Sequence, residues 1–194
     1  MLPTSDALEH ALHALTLGVS DDPFGVLGPH VRDAGETSTL VIRTLQPAAE
    51  RVEIVRVNPD GSSTLTEMTR LRQQVIFAAE FPGEERIFDY RLRITEHEGF
   101  VREIVDPYRY GQVMGELDLH LLGEGRHYRA FERLGSHALK VGSATGTYFA
   151  VWAPNAERVS LVGDFNQWHG LAHPMRRLVP NGISSMWVKP MSFT

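Results

Sequence analysis

A tryptophan near the end of the chain is the residue best suited, by type and position, to bind a ligand. Trp168 closes the stretch 146–168 and follows Asp164 and Asn166, which are turn-forming residues. An indole held on a turn can stack on the apolar face of a sugar, while nearby polar groups bond the hydroxyls. We therefore predict that Trp168, Asn166 and Asp164 contact a sugar. The pattern also fits a Trp168 that packs on a sheet beside two ordinary turn residues.

The other aromatic residues give different predictions. Trp152 lies between Val151 and Ala153 in an apolar segment and is predicted to belong to the core. Phe165 is predicted to anchor the turn. Trp187 lies in a segment without clear periodicity and supports no inference.

No metal or catalytic centre is predicted. His10 and His13 fit a solvated helix face, and His169 and His173 have only Asp164 as a nearby carboxylate, which falls short of a metal site. Glycoside chemistry needs two carboxylates held across the bond to be broken, and the acids here fall on strand faces and turns. Phosphate-loop, nucleophile-elbow and dinucleotide patterns are absent from the sequence. We therefore predict no catalytic residue, no cofactor and no metal.

The composition excludes several classes of protein. Of the 194 residues, 42% are hydrophobic and 22% charged, and the net charge of −5 argues against binding of nucleic acid. There is no cysteine, which excludes disulfides and thiol catalysis and fits a reducing cytoplasm. No apolar run approaches the ~18 residues of a membrane helix. The first residues also lack the basic start of a secretory signal, so we expect a cytoplasmic protein without a membrane partner.

Hydrophobic spacing predicts two short helices and many strands. Leu8, Ala11, Leu12 and Leu15 recur at helical spacing, and a second short helix is predicted over 114–122. Residues 22–30 are predicted to be loop, because they contain two prolines and two glycines. Period-two alternation between turn signals predicts strands at 40–45, 51–57, 75–81, 88–94 and 100–105. Short strands of this kind are typical of a β-sandwich.

An internal repeat predicts that one sandwich module is used twice. Residues 47–55 (PAAERVEIV) and 154–162 (PNAERVSLV) are identical at six of nine positions, and an apolar strand precedes each copy. A chance match between two hairpins is the alternative. In 146–168 the pattern predicts two strands, joined at residues 154–158.

The repeat divides the chain into four predicted regions. They are an N-terminal helix (1–20), a sandwich (21–111), a loop-rich linker with a short helix (112–145) and a second sandwich (146–194). The second copy is too short to be complete, so we expect an exposed edge. Its atypical tail (178–194) shows no alternation from residue 179 and is expected to pack poorly.

Several segments, in this order, resemble the amino-terminal part of bacterial glycogen branching enzymes. They are DPFGVLGPH (22–30), DPYRYG (106–111), EGRHY (124–128), LGSH (134–137), 146–168 and HPMR (173–176). The resemblance runs from about residue 21 to residue 177. The segment 146–168 alone would also suit debranching enzymes with a family 48 carbohydrate-binding module, and 22–30 favours a branching enzyme.

The resemblance implies both a fold and a function. The expected fold is mostly β, with two immunoglobulin-like sandwiches, the second being a truncated carbohydrate-binding module. The family moves an α-1,4-glucan segment to a 6-hydroxyl, using an Asp nucleophile and a Glu acid/base in a barrel that would follow. No catalytic position carries over, so we expect a non-catalytic amino-terminal fragment that binds α-1,4-glucan. The alternatives are a stand-alone glucan-binding module, the front of a debranching hydrolase and a purely structural sandwich.

Overall fold

The computed structural model describes residues 5–33, 37–71, 74–142, 144–178 and 182–189. Within these ranges the chain forms twelve strands in three four-stranded sheets, and two α-helices. The prediction of a mostly β fold with two short helices is confirmed. The chain divides into two compact units: the first holds the residues up to Ser20 and Phe24–Arg109, and the second holds Asp21–Pro23 and the residues from Tyr110 onward.

The first unit begins with the predicted helix. Helix α1 spans Ser5–Leu17, and its side chains Leu12 and Leu15 are buried. These two residues lie three apart and therefore share one face of the helix. The N–H of Gly18 donates to the carbonyl of Leu15 at 3.1 Å and helps to close the helix end.

Two antiparallel sheets make up the rest of the first unit. Their strands are β1 (Gly28–Asp33), β2 (Ser38–Leu45), β3 (Ala49–Val57), β4 (Ser63–Glu67), β5 (Thr69–Arg70), β6 (Ile76–Pro82), β7 (Tyr90–Glu96) and β8 (Val101–Ile104). The strand orders are β1-β2-β6-β5 and β4-β3-β7-β8. The prediction of loop over 22–30 was wrong at its end, because β1 begins at Gly28. This strand lies at a sheet edge, where Pro29 can be accommodated without an N–H.

Asp106 is a fully buried carboxyl in the first unit. It accepts the hydroxyl of Tyr90 at 2.7 Å and the backbone N–H of Tyr108 at 3.0 Å. Burial raises the pKa of Asp106 to about 6, although the two hydrogen bonds and the nearby Arg109 act in the opposite direction. The folded unit therefore binds this proton more tightly than the unfolded chain does.

One sheet and one helix form the second unit. Helix α2 spans Glu116–Gly123, and the strands are β9 (Gly135–Val141), β10 (Ala144–Trp152), β11 (Arg176–Leu178) and β12 (Ile183–Val188), in the order β11-β12-β10-β9. The buried cluster consists of Met114, Tyr148, Ala150, Leu178, Ile183 and Trp187. Leu119 and Leu122 of α2 pack against this cluster.

The expectation of a poorly packed tail was wrong for residues 183–188. They form β12, which lies between β10 and β11, and Trp187 is only 2% exposed. Its ring centroid lies 4.2 Å from that of Tyr110. The alternation is missing because consecutive residues of β12 are buried, and a strand covered on both faces has no reason to alternate. Residues 179–181 and 190–194 lie outside the described part of the chain.

The prediction that Trp152 belongs to the core was also wrong. It is the last residue of β10, where the strand ends, and its side chain is 64% exposed. Alternation along a strand tells which face a residue occupies, but not whether another element covers that face at the strand's end.

Two further predictions about the second unit need correction. The segment predicted as a loop-rich linker contains β9, an edge strand whose partner is β10. Conversely, the second strand predicted within 146–168 is reduced to one bridge, between Ser160 and Pro174. Two backbone hydrogen bonds flank this bridge, from Leu161 N–H to the His173 carbonyl and from Met175 N–H to the Val159 carbonyl, both 2.9 Å.

Candidate functional site

The candidate site is the Trp168 turn, which we define as residues 163–169. A short 3₁₀ helix over Asp164–Asn166 forms its first half. The carbonyl of Gly163 accepts the backbone N–H groups of Asn166 and Trp168, at 3.1 and 3.0 Å. Both halves of the turn are therefore tied to one carbonyl.

Gly163 lies against the ring of Phe165 at the entrance to this turn. A Cβ atom at Gly163 would lie 2.7 Å from that ring, so a side chain there would have to displace Phe165. Phe165 itself is half-buried, and its ring meets that of His173 edge to face at 5.3 Å. The predicted anchor thus lies between the turn and the segment that carries His173.

The turn holds the Trp168 side chain in the solvent. The residue is 66% exposed, and its indole N–H donates to the Asp164 carboxylate at 2.9 Å. This bond limits rotation of the ring and fixes the direction in which its face points. Asp164 is exposed and can accept more than one hydrogen bond, since a carboxylate has about four lone-pair sites.

Two consecutive residues of the turn have a left-handed backbone. Gln167 has φ of 53° and Trp168 has φ of 57°. Side-chain-bearing residues adopt this region at a cost of about 1–2 kcal/mol each. Such conformations persist where the surroundings impose them, and they are often found at functional sites.

Asn166 ties the turn to the body of the second unit. It is only 4% exposed, and its Oδ1 accepts the backbone N–H of Gly163 at 3.0 Å. Its Nδ2 donates to the carbonyl of Leu161 at 2.9 Å and lies 3.0 Å from Nδ1 of His173. The structure therefore brings all three predicted residues into one turn, with Trp168 and Asp164 on the surface and Asn166 inside.

Sequence reasoning missed the role of His173. This side chain is 5% exposed and lies seven residues beyond Asn166, across the bridge of Ser160 and Pro174. We tested His173 only as a metal ligand from the sequence, and this gave no reason to predict a contact with the turn. The motif HPMR (173–176) that contains it is one of the segments that carry the family resemblance, but no spacing rule connects it to Asn166.

The described residues offer neither a metal cluster nor a membrane-spanning helix. Across those ranges no three His, Cys, Asp or Glu side chains are grouped closely enough to hold an ion. No helix there has the length and apolar character needed to cross a bilayer. The Trp168 turn presents one aromatic face and one carboxylate to the solvent.

Two family profiles match the chain in succession. The family described as alpha-1,4-glucan branching enzyme GlgB, N-terminal domain, matches residues 8–108. The family described as carbohydrate-binding module 48 (isoamylase N-terminal domain) matches residues 133–191, which include the Trp168 turn.

Individual relatives agree with these profiles. The 1,4-alpha-glucan branching enzyme GlgB of Paramagnetospirillum magneticum is 47% identical over 163 residues, covering 84% of this chain and 20% of the relative. The protein of the same name from Cereibacter sphaeroides is 42% identical over 190 residues, covering 97% of this chain and 24% of the relative. The chain thus spans between a fifth and a quarter of the length of these relatives. Among solved structures, a maltotriose complex of a PulA mutant from Klebsiella pneumoniae matches 54% of this chain and 11% of its own, with 22% identity and a TM-score of 0.39.

Proposed function

Because this chain belongs to the family of the GlgB alpha-1,4-glucan branching enzyme N-terminal domain, we propose that it forms the amino-terminal part of a glycogen branching enzyme. Within that enzyme its second unit binds α-1,4-glucan through the Trp168 turn. The branching activity itself, transfer of an α-1,4-linked segment to a 6-hydroxyl, is proposed for the longer protein that the relatives represent. The proposed location is the cytoplasm.

The observation that best supports this proposal is the exposed and oriented indole of Trp168. An exposed indole with a fixed orientation provides a flat apolar surface that can stack on the hydrogen-bearing face of a glucose unit. Asp164 lies beside it and can accept a sugar hydroxyl, while Asn166 acts from inside the turn by holding its shape. Stacking buries apolar surface, and the adjacent carboxylate adds a polar contact that fixes the sugar's orientation.

We assign binding, and no transfer step, to residues 1–194. Retaining glycoside chemistry needs a pair of carboxyl groups about 5–5.5 Å apart on either side of the bond. The Trp168 turn contains a single carboxylate, Asp164, and therefore lacks the pair that this chemistry requires. We therefore expect the 194-residue polypeptide to bind amylose without branching it, as measured by iodine staining against a blank. Turnover above the blank would contradict this assignment.

Replacing Trp168 by alanine tests the binding proposal. Loss of one stacking aromatic should weaken glycogen co-sedimentation by roughly two- to tenfold, since aromatic contacts are worth about 0.5–1.5 kcal/mol beyond the area that they bury. The chain offers a matched control in Trp152, which is 64% exposed against 66% for Trp168 and belongs to the same unit. Trp152→Ala should leave the bound fraction unchanged.

The pair of variants distinguishes three outcomes. A selective loss in Trp168→Ala supports the turn as the glucan-binding surface. Equal losses in both variants would point to unspecific adhesion of exposed indoles, and no loss in either would remove the assignment. Quenching of tryptophan emission by maltooligosaccharides, present in the parent protein and absent in Trp168→Ala, gives a second readout.

The match to a branching-enzyme domain over residues 8–108 favours this proposal over a debranching hydrolase. The carbohydrate-binding module alone would fit both classes of enzyme, because its family is described through isoamylase. Expression of the whole gene product and assay for α-1,6 linkages formed or cleaved separates the two. A hydrolase would release reducing ends from a branched glucan without adding branches.

A further inference from the structure

The orientation of the Asn166 amide is fixed by two backbone groups. Its Oδ1 faces the N–H of Gly163, which can only donate, and its Nδ2 faces the carbonyl of Leu161, which can only accept. Exchanging the two atoms of the amide would oppose donor to donor and acceptor to acceptor. The second hydrogen of Nδ2 is therefore the one that points at His173.

This orientation dictates the protonation state of His173. Because Nδ2 donates across the 3.0 Å contact, Nδ1 of His173 has to accept, and so it carries no proton. The imidazole is then neutral, with its hydrogen on Nε2. Protonation of Nδ1 would place two donors against each other inside a region where both side chains are at least 95% buried.

We propose that His173 is a positioning residue for the Trp168 turn, and that the turn holds its binding geometry only while His173 is neutral. This inference rests on the proposed glucan-binding function. Loss of the contact frees Asn166, which ties Gly163 and Leu161 together and so supports the two left-handed residues that present the indole. Glucan affinity should therefore fall as the solution becomes acidic.

Three charged or titratable residues near His173 in the sequence have contacts of their own. Asp164 is exposed and bonds the indole of Trp168. His169 is exposed, and its Nδ1 faces the backbone N–H of Leu171 at 3.3 Å. Arg176, three residues further along the chain, forms an ion pair with Asp22 at 3.2 Å. Of the two histidines, His173 is the one whose ring contacts the amide that shapes the turn.

The test is a pH series on the full 194-residue chain, with two readouts. Glycogen co-sedimentation should weaken by about tenfold between pH 7.5 and 5.0, the range in which imidazoles change charge and the size expected for one lost buried hydrogen bond. The indole N–H resonance of Trp168, identified by its absence in Trp168→Phe, should shift over the same range. Circular dichroism at pH 5.0 checks that the chain remains folded.

The decisive variant is His173→Asn, whose Oδ1 can accept from Asn166 near the position of Nδ1 but cannot be protonated in this range. It should bind at pH 7.5 like the parent and lose the pH dependence. The matched control His169→Asn, at an exposed histidine of the same turn, should keep it. If His173→Asn does not fold, the parent's indole resonance alone decides.

Failure of this inference is separable from failure of the proposed function. An indole signal that stays constant from pH 7.5 to 5.0 in the folded parent overturns it, as does a His173→Asn variant that titrates like the parent. A parent that binds no glycogen at any pH, while its indole signal titrates and that of His173→Asn does not, overturns the function and leaves the positioning role standing.

Discussion

Residues 47–55 of the first unit and 154–162 of the second share six of nine residues, yet only the first copy enters a long regular strand. In the first unit β3 has partners on both sides, β4 and β7. In the second unit the same pattern forms one bridge between Ser160 and Pro174. The strand thus depends on neighbouring strands as much as on its own residues, in keeping with the context dependence of β-propensity.

The turns that follow the two copies differ more than the copies themselves. In the first unit Asn58 is half-buried and its Nδ2 donates to the hydroxyl of Ser62 at 2.9 Å, while the exposed Asp60 accepts hydrogen bonds from the same serine. In the second unit Asn166 is buried and joins three other residues, and the turn ends in an exposed tryptophan. The two similar segments are therefore followed by an ordinary turn in one unit and by the Trp168 turn, the proposed binding surface, in the other.

The largest effect on stability is expected from a substitution at Gly146, where the apolar strand of the second unit has a glycine and the first unit has a larger residue. The repeat aligns Thr39 of β2 with Gly146 of β10. A Cβ atom at Gly146 would lie 2.3 Å from Cζ2 of Trp187 and 2.5 Å from the carbonyl oxygen of Val188. Because a backbone atom cannot move aside cheaply, Gly146→Ala should lower the free energy of unfolding of the second unit by about 3 kcal/mol or more.

Urea denaturation followed by tryptophan fluorescence measures this effect selectively, since Trp152, Trp168 and Trp187 all belong to the second unit. Gly170→Ala is the matched control, because a Cβ there meets nothing within 4 Å. An unchanged midpoint in Gly146→Ala would contradict this prediction, since it would mean that the second unit tolerates a side chain at this position, as the first unit does.

The two units should also respond to acid in opposite directions, and Asp106 governs the first. Its folded pKa of about 6 exceeds the ordinary value of about 3.9, so its contribution to stability is present at pH 4 and disappears as the pH rises through 6. The contribution amounts to about 3 kcal/mol. We expect Asp106→Asn to remove this pH dependence from the unfolding of the first unit, followed by far-UV circular dichroism. Identical pH profiles for parent and variant would contradict the prediction.

A smaller effect separates the two turn asparagines. Asn166→Ala removes contacts to Gly163, Leu161 and His173 from a buried position and should cost about 2 kcal/mol. Asn58→Ala acts at an exposed turn and should change stability by no more than about 0.5 kcal/mol. Thermal unfolding of both variants measures this difference, and equal losses of stability would show that the two turns are held in the same way.

The parts of the fold that follow from local pattern were predictable. Helix α1 has its apolar residues at helical spacing, β7 alternates apolar with charged or polar residues, and β2, β3 and β6 are rich in apolar residues and bounded by turn residues. Strand β12 was missed because two buried serines, Ser184 and Ser185, interrupt its apolar residues, so that its sequence shows neither alternation nor a continuous apolar run. Trp152 was misplaced because periodicity cannot tell that a strand is about to end.

The candidate site likewise has one feature that follows from local sequence and one that depends on contact between distant segments. The exposed position of Trp168 follows from a turn of local residues, which sequence can indicate. The contact between Asn166 and His173 depends on two segments meeting across an isolated bridge, and no rule of spacing encodes it. Its chemical consequence, a histidine that has to stay neutral, is visible only from the geometry.

The bond from the Trp168 indole to Asp164 has one more consequence. With its only N–H donor occupied internally, the tryptophan offers a ligand a flat ring and no directional donor of its own. Such a surface would bind each glucose unit along a polymer with the same affinity. The polymer could therefore shift by one unit without a change in binding free energy. A surface of that kind suits a partner whose length and branching vary from molecule to molecule.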